Sequence, residues 1–308
     1  MKKFACLFPG QGSQSVGMGQ SFFERSEIAR ELFRKADDAL EFPLSRLCFE
    51  GPEEELRLTR NTQPALLVVS VIAYTLLDRV PTVAAGHSLG EYSALTAAGA
   101  LRFEDAVRLV HKRGCYMQEA VPAGTGAMAA VLGADPDKLR ETLSGVSSGV
   151  VEIANWNSRE QTVISGHKEA VAEALRLLAP CRGISLPVSA PFHTSLMKPA
   201  EVRLSEDLDA TGFSDLQFPV IANVDASVIR TGNEAREALR RQVSRPVLWI
   251  DDMEILRSFD VEFCIEPGIG KVLSGLWKRI GRAWPALPDV YAVEDWDSLE
   301  KARSLFSV

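Results

Sequence analysis

The sequence predicts an α/β fold with a largely parallel sheet and one small inserted unit. Short apolar or β-branched runs alternate with helical patterns from end to end, which is typical of strands joined by crossover helices. The chain has 308 residues, 46% of them hydrophobic and 24% charged, enough for one large core with a smaller subdomain attached. Between about residues 125 and 193 the order of elements changes, and this change indicates the insertion.

The N-terminal part is predicted to alternate strands and helices. Pro64 is placed in the first turn of its helix, where the missing N–H costs nothing. The predicted elements are a strand over 3–8, helices over 24–40 and 64–77, a strand over 82–86, a helix from Ser88 to about Ala98, and a helix over 104–119.

After the loop VPAGTG (121–126) the sequence predicts a β-α-β-β-α-β unit. Its elements are a strand over 127–133, a helix over 135–143, strands over 150–155 and 161–166, a helix over 168–179 and a strand over 183–189. This order is that of ferredoxin-like folds. We therefore expect a small subdomain at 125–193, and a large domain formed by 1–124 and 194–308.

Strand and helix alternation resumes in the C-terminal part. The predicted elements are a helix over 195–208, a strand over 219–223, helices over 233–243 and 249–258, a strand over 263–268, a helix over 270–281, a strand over 290–293 and a terminal helix.

Bulk properties exclude several classes of protein. A net charge of −7 argues against nucleic acid as the main partner. No apolar run reaches the length of a membrane span, and the N-terminal apolar stretch is too short for a signal peptide, so a cytoplasmic protein is predicted. Five cysteines stand singly and fit neither a disulfide framework nor a zinc site, so we expect reduced thiols and no metal.

The segment GHSLGEYSAL (86–95) predicts a nucleophilic serine. Gly86 to Gly90 match G-x-S-x-G between an apolar strand and a helix-forming run, the context in which a strained turn exposes the serine hydroxyl. Side chains at the two glycines would collide with the neighbouring strand and helix. The alternative is a glycine-rich turn with an incidental serine. With Ser88 as nucleophile, the large domain is expected to be hydrolase-like.

His193 is the candidate base among four histidines. It follows a predicted strand, at the strand end where open α/β sheets build their sites. His87 should point away from Ser88 and pack under the turn, while His111 and His167 lie in or beside helices. No acid has an obvious place as third member, because candidates between Ser88 and His193 such as Asp135, Asp137 and Glu152 fall in the small subdomain. A backbone carbonyl is the alternative partner for the imidazole.

An oxyanion hole needs two convergent N–H groups. One would come from Leu89, and the second from the loop FPGQGSQ (8–14), whose glycines allow close approach of the backbone. A phosphate-binding turn is the alternative for this loop. It lacks both the GK[ST] ending and the GxGxxG spacing.

Several separated segments together carry a specific resemblance. The chain resembles malonyl-CoA:acyl carrier protein transacylases and the related acyltransferase domains of polyketide and fatty acid synthases. The matching segments are FPGQGSQ (8–14), NTQPAL (61–66), GHSLGEYSAL (86–95), RGCYMQEAVPAGTGAMAAVLG (113–133), NWNSREQTVISG (155–166), PVSAPFHTSLM (187–197), QVSRPVLW (242–249) and EPGIGKVLSGL (266–276). Arg159 stands where the family often has proline, and EPGIGK reorders the family's EIGPGK.

The resemblance implies catalytic roles for five positions. Ser88 would be the acylated nucleophile and His193 its base. The backbone N–H groups of Gln11 and Leu89 would form the oxyanion hole. Gln242 would orient the histidine through its backbone carbonyl.

It also implies substrate-binding roles. Arg113 would bind the free carboxylate of the acyl group, which a guanidinium fork meets bidentately, and Met117 would line the same pocket. Phe192 would select malonyl over branched groups, and Asn155 and Asn157 match an asparagine pair near the site. Without the resemblance, Arg113 would be taken as a surface helix arginine.

The implied function is transfer of malonyl from malonyl-CoA to the phosphopantetheine thiol of acyl carrier protein, by a ping-pong mechanism, for fatty acid or polyketide synthesis. No resident cofactor is needed, since malonyl-CoA is a substrate and phosphopantetheine belongs to the partner. A monomer is expected, with Lys112, Lys198 and Lys271 as candidates for docking the carrier protein. The alternatives are an acyl-thioester hydrolase on the same fold and a catalytically silent binding domain.

Overall fold

The computed structural model describes residues 2–188 and 190–307. Its strands are β1 (Phe4–Phe8), β2 (Val83–Gly86), β3 (Gly126–Leu132), β4 (Val151–Ser158), β5 (Gln161–His167), β6 (Arg182–Ser185), β7 (Val220–Ala222), β8 (Ser227–Ile229), β9 (Phe263–Pro267) and β10 (Asp289–Val293). Its α-helices are α1 (Gln20–Arg25), α2 (Glu27–Leu40), α3 (Leu44–Glu50), α4 (Glu53–Leu56), α5 (Thr59–Leu77), α6 (Leu89–Ala97), α7 (Phe103–Glu119), α8 (Pro136–Ser144), α9 (Lys168–Leu177), α10 (Lys198–Ala210), α11 (Gly232–Gln242), α12 (Trp249–Arg257), α13 (Val272–Ile280) and α14 (Trp296–Ser304).

The large sheet has the strand order β10-β9-β1-β2-β7-β8. All neighbouring pairs are parallel except β7 and β8, which form an antiparallel pair at one edge. Alternate residues of β1 pack into two separate hydrophobic clusters, Phe4 and Phe8 on one face and Leu7 on the other. A parallel sheet covered on both faces has this pattern of burial, and the predicted α/β class is confirmed.

The small sheet has the order β4-β5-β3-β6, with every neighbouring pair antiparallel. With α8 after β3 and α9 after β5, this is the predicted ferredoxin-like βαββαβ arrangement. The predicted strand over 183–189 is shorter, because β6 covers only Arg182–Ser185, and Ser189 lies outside the described residues. The domain limits at 124 and 193 stay a prediction.

Pro64 does not occupy the first turn of its helix, contrary to prediction. The helix α5 begins five residues earlier, at Thr59, and contains Pro64 in its interior. A proline there cannot donate to the carbonyl four residues before it. That carbonyl belongs to Arg60, and it accepts a hydrogen bond from Nδ1 of His111 at 2.9 Å. A side chain of α7 thus replaces the missing backbone donor, and the helix continues through the proline.

The predicted helix over 24–40 is divided at Ser26. The Ser26 hydroxyl accepts from the amide of Ala29 and caps α2, which begins at Glu27, while Glu24 belongs to the separate α1. Sequence patterns also missed the short helices α3 and α4 and the edge strand β8. Elsewhere the limits shift: the predicted helix from 195 opens with a 3₁₀ turn at Ser195–Met197, and α13 begins at Val272 rather than 270.

The register between β1 and β2 positions the site. Phe8 pairs with Gly86, so the two strands end at the same level. The loop after β1 and the turn after β2 therefore meet at one edge of the sheet. In the described part of the chain, no helix is long and apolar enough to cross a membrane. All five cysteines have free thiols.

Candidate active site

Ser88 lies on a strained turn between β2 and α6. Its φ of 53° and ψ of −107° are backbone angles that non-glycine residues rarely adopt. A Cβ on Gly86 would lie 2.0 Å from the carbonyl carbon of Gly90, and one on Gly90 would lie 2.0 Å from the carbonyl oxygen of Phe8. The predicted collisions with the following helix and the neighbouring strand are therefore confirmed, and they explain both glycines.

The imidazole of His193 meets the serine. Ser88 Oγ lies 2.7 Å from His193 Nε2. On the other side of the ring, Nδ1 donates to the backbone carbonyls of Gln242 at 3.0 Å and Arg245 at 3.2 Å. Carbonyls only accept, so the proton is on Nδ1 and the lone pair of Nε2 faces the hydroxyl. Two backbone carbonyls thus take the place that the acid has in a Ser-His-Asp triad.

His193 is held neutral at physiological pH. It is 4% exposed, and burial, followed by the positive charge of Arg113, lowers its pKa to about 3. Both causes act against the charged imidazolium. The free site therefore presents an unprotonated base to the serine hydroxyl.

Arg113 is a buried residue and not a surface arginine. Its side chain is 1% exposed and lies over the ring of Tyr92, 5.4 Å from the centroid. Nη1 donates to Gln63 Oε1 at 2.8 Å, and Nη2 donates to Gln242 Oε1 at 2.9 Å and to Ser88 Oγ at 3.2 Å. The guanidinium thus lies beside the serine, in contact with neutral oxygens only.

The predicted oxyanion donors lie at the mouth of the same turn. Gln11 and Leu89 both line the cavity around Ser88. Leu89 is the first residue of α6, so its N–H is one of those that a helix leaves free. Neither backbone N–H donates to any other residue among those described. Both amides are available to an oxygen in the cavity.

The cavity has a volume of about 450 Å³ and is lined by strands of the small sheet on one side, and on the other by helices and by the loops that follow β1 and β2 of the large sheet. Nine of the ten predicted site residues line it, and Gln242 lies behind Arg113, fully buried. The nine are Gln11, Ser88, Leu89, Arg113, Met117, Asn155, Asn157, Phe192 and His193. The sequence predictions thus converge on a single site.

His87 packs as predicted, and it also reaches the small sheet. Its ring lies edge-on to Trp249 at 5.2 Å between centroids. Its Nε2 lies 2.8 Å from Oδ1 of Asn157. Asn157 is therefore engaged with the serine turn, while Asn155 lies beside Val247 in an isolated bridge.

Comparison with known proteins identifies the family. Residues 5–249 match the acyl transferase domain. The chain belongs to the acyl transferase family. The malonyl CoA-acyl carrier protein transacylase of Bacillus subtilis strain 168 is 46% identical over 310 residues, covering 98% of this chain and 96% of that protein. The protein of the same name from Escherichia coli K12 is 46% identical over 288 residues, covering 91% and 93%.

Solved structures agree with these relatives. The malonyl CoA-acyl carrier protein transacylase of Coxiella burnetii superposes with a TM-score of 0.94 at 40% identity, covering 98% of this chain and 97% of that one. A malonyl-transacylase solved in complex with a type II PKS acyl carrier protein gives 0.94 at 41% identity, covering 99% and 100%. The resemblance inferred from sequence is confirmed, and the chain is an acyltransferase.

The acyltransferase site contains polar residues that sequence reasoning missed. Asn223, at the carboxyl end of β7, accepts from the amide of Ser88 at 2.8 Å and donates to the carbonyl of Gly86 at 2.8 Å, so it braces the serine turn. Gln63 holds Arg113. Glu91 accepts from Nε2 of Gln242 at 2.8 Å. The sequence held a signal for two of these residues: Gln63 lies in the family segment NTQPAL, and Asn223 ends a predicted strand.

The three candidate docking lysines of the acyltransferase are each paired with an acid. Lys112 pairs with Asp207, Lys198 with Glu201, and Lys271 with Glu294 at 3.1 Å. Of the three, Lys271 alone lines the cavity around Ser88. A docking role for them stays a prediction.

Proposed function

We propose that this acyltransferase moves the malonyl group from malonyl-CoA to the phosphopantetheine thiol of an acyl carrier protein, through a malonyl ester on Ser88. One observation carries the proposal: Ser88 Oγ lies 2.7 Å from the base His193 and 3.2 Å from the buried guanidinium of Arg113. A nucleophile, a neutral base and a cation for a carboxylate thus share one cavity. The names of the relatives support the same substrates.

In the first half-reaction, His193 Nε2 takes the proton of Ser88 Oγ as the oxygen attacks the thioester carbonyl of malonyl-CoA. The carbonyl oxygen gains the negative charge and is stabilised by the N–H groups of Gln11 and Leu89. Each such donor contributes on the order of a hundredfold in rate. The C–S bond then breaks, His193 returns its proton to the sulfur, and CoA leaves as the free thiol.

In the second half-reaction, the phosphopantetheine thiol of the carrier protein occupies the place of CoA. His193 takes the thiol proton, the sulfur attacks the malonyl ester, and the C–O bond to Ser88 breaks. The proton returns to Ser88 Oγ. The backbone carbonyls of Gln242 and Arg245 stabilise the imidazolium in both halves, in the role that a carboxylate has in other serine enzymes.

Arg113 gives the site its preference for malonyl. The malonate carboxylate would form charge-assisted hydrogen bonds with the guanidinium, each contributing about 1.5–3 kcal/mol. Met117 and Phe192 would limit the size of the acyl group, and Asn155 and Asn157 would border the thioester. Because the Arg113 charge also lowers the pKa of His193, a bound carboxylate would make the base stronger at the moment it is needed.

The proposed reaction needs no resident metal or redox cofactor, since malonyl-CoA is a substrate and phosphopantetheine arrives on the partner. The proposal includes that the protein is a cytoplasmic monomer and that it serves fatty acid or polyketide synthesis. Neither alternative function is favoured. Hydrolysis shares the same dyad, and the names of the relatives describe transfer.

The decisive test follows malonyl loading by intact mass. Wild-type protein mixed with malonyl-CoA should gain one malonyl group, and Ser88→Ala should gain none. Undiminished loading of the variant would refute the proposal. Malonyl-CoA consumption should also rise steeply when acyl carrier protein is added. Equal consumption without the carrier would instead make the protein a hydrolase.

A further inference from the structure

A buried carboxylate lies behind the proposed substrate pocket and takes no part in the mechanism above. Glu91, in the first turn of α6, is fully buried. Its Oε2 accepts from Nε2 of Gln242 at 2.8 Å and from the amide of Asn223 at 3.1 Å. Its Oε1 has no hydrogen-bond partner among the described residues.

Gln242 joins this carboxylate to Arg113. Its Oε1 accepts from Arg113 Nη2, while its Nε2 donates to Glu91. The amide orientation follows from the neighbours, because a guanidinium only donates and a carboxylate accepts. Arg113 and Glu91 are thus the two ends of one short chain of hydrogen bonds.

The guanidinium needs a counter-charge when the pocket holds no malonyl group. The acceptors that contact it are all neutral: two amide oxygens and a hydroxyl. A buried charge without a partner of opposite sign is costly. An ionised Glu91 would supply that partner in the unloaded protein, through Gln242.

The malonyl carboxylate would change this balance. When it reaches Arg113, one buried guanidinium faces two carboxylates, and the protein can remove one charge by protonating an acid. Glu91 is the one deprived of water, and its unpartnered Oε1 can hold a proton. We propose that Glu91 is a positioning residue that balances Arg113 in the unloaded enzyme and takes up a proton when malonyl is loaded. The buried cluster then keeps the same net charge before and after loading.

The groups around Glu91 agree with this assignment. Burial raises its pKa to about 7, against the opposing effects of Asn223, Gln242 and Arg113, while Asp225 raises it further. Because the Arg113 charge lowers the pKa of Glu91, neutralising that charge would raise this pKa further. A carboxyl that titrates near neutral pH can change its protonation at small free-energy cost.

Other titratable groups lie close to Glu91 and α6. Asp252 on α12 accepts a hydrogen bond from Nδ2 of Asn223 at 2.8 Å, and burial, followed by the charge of Glu91, raises the pKa of its carboxyl well above the usual range. Asp225 pairs with Arg241 of α11 at 2.9 Å. Tyr92 follows Glu91 on α6 and packs its ring against Arg113 of α7, and burial raises the pKa of its hydroxyl. The packed strands β2 and β7 carry no titratable side chain, β1 carries Cys6, and α5 carries Arg60 and Tyr74.

This inference rests on the proposed function, and its test separates the two. The protein at a pH near 7 in weak buffer with an indicator dye is mixed with malonyl-CoA, and intact mass records the fraction loaded. Transfer between Ser88 and CoA moves no net proton, since the CoA thiol, like free cysteine with a pKa of about 8.5, leaves largely protonated. Wild-type protein should take up protons in proportion to loading. Loading without uptake would overturn the inference alone, whereas no loading would overturn the proposed function.

Two variants locate the proton. Glu91→Gln keeps the acceptor for Gln242 and Asn223 and cannot titrate, so its uptake per loaded site should fall well below that of wild type. Asp252→Asn removes the neighbouring buried acid and should keep the wild-type uptake. If both variants take up as many protons as wild type, the proton goes elsewhere, for example to His193, and the proposal is wrong.

An infrared measurement on wild-type protein serves if Glu91→Gln does not fold. The protein is loaded from malonyl-CoA labelled with ¹³C at the malonyl carbons, so that the C=O bands of the malonyl ester and its carboxyl group shift and can be set apart. The difference spectrum between loaded and unloaded protein should then contain a new carboxylic-acid C=O stretch that the label does not shift. A merely structural Glu91 would give only bands that the label shifts, and absence of the unshifted band in fully loaded wild-type protein would overturn the proposal.

Discussion

Nη2 of Arg113 lies 3.2 Å from Oγ of Ser88. The distance matters because, in the proposed reaction, the two atoms serve different parts of one substrate: the serine would attack the thioester carbonyl, and the guanidinium would bind the carboxylate two bonds away. The same guanidinium lowers the basicity of His193 until a carboxylate neutralises it. In the proposed reaction, a substrate without that carboxylate would therefore meet a weaker base as well as an unfilled cation site.

The first prediction concerns Arg113→Ala. It should lower kcat/KM for malonyl-CoA by on the order of a hundredfold or more, the equivalent of two charge-assisted bonds of about 1.5–3 kcal/mol each. Any residual acetyl transfer should fall much less or rise. Steady-state kinetics with both thioesters measures the ratio. Arg113→Lys is the matched control, since it keeps the charge and loses the fork, and it should retain part of the preference. Equal losses for both substrates would contradict the carboxylate role.

The second prediction concerns pH. His193 has its pKa lowered to about 3, so the neutral base persists as pH falls through the range in which an ordinary histidine, at about 6.5, becomes protonated. The rate at which a fluorophosphonate labels Ser88 should therefore stay flat from neutral pH down to about pH 5. Circular dichroism over the same range checks that the fold persists. A half-maximal rate near pH 6.5 in folded protein would show an ordinary histidine.

Sequence reasoning found the residues whose signal is local. Ser88 sits in a pattern of five residues with a strand before and a helix after, and His193 follows a strand run. Gln242 could be assigned only through the family resemblance, because its contribution to His193 is a backbone carbonyl, which no residue type reveals. Asn223 and Glu91 act through hydrogen bonds across more than a hundred residues of sequence, and no local pattern encodes such contacts.

The third prediction tests the serine turn. Gly90→Ala would place a Cβ 2.0 Å from the carbonyl oxygen of Phe8, and the next nearest atoms are also backbone atoms of Phe8 and Pro9, so no flexible side chain can move aside. We expect a large loss of Ser88 labelling together with destabilisation of at least about 1–3 kcal/mol, the usual cost of overpacking. Gly212→Ala is the matched control, because its Cβ would meet nothing within 4 Å. Wild-type labelling by Gly90→Ala would mean that the strand and helix can move apart.

The last prediction follows from the error about Pro64. The carbonyl of Arg60 loses its helical donor to the proline and is satisfied by His111 Nδ1, so the two residues should be energetically coupled. His111→Ala should cost about 0.5–1.5 kcal/mol of unfolding free energy through this bond, and less in a Pro64→Ala background, where the residue 64 amide can donate to the same carbonyl. Urea unfolding of the four proteins of the double-mutant cycle measures the coupling. Strictly additive effects would show that the carbonyl gains nothing from His111, and that α5 tolerates Pro64 for another reason.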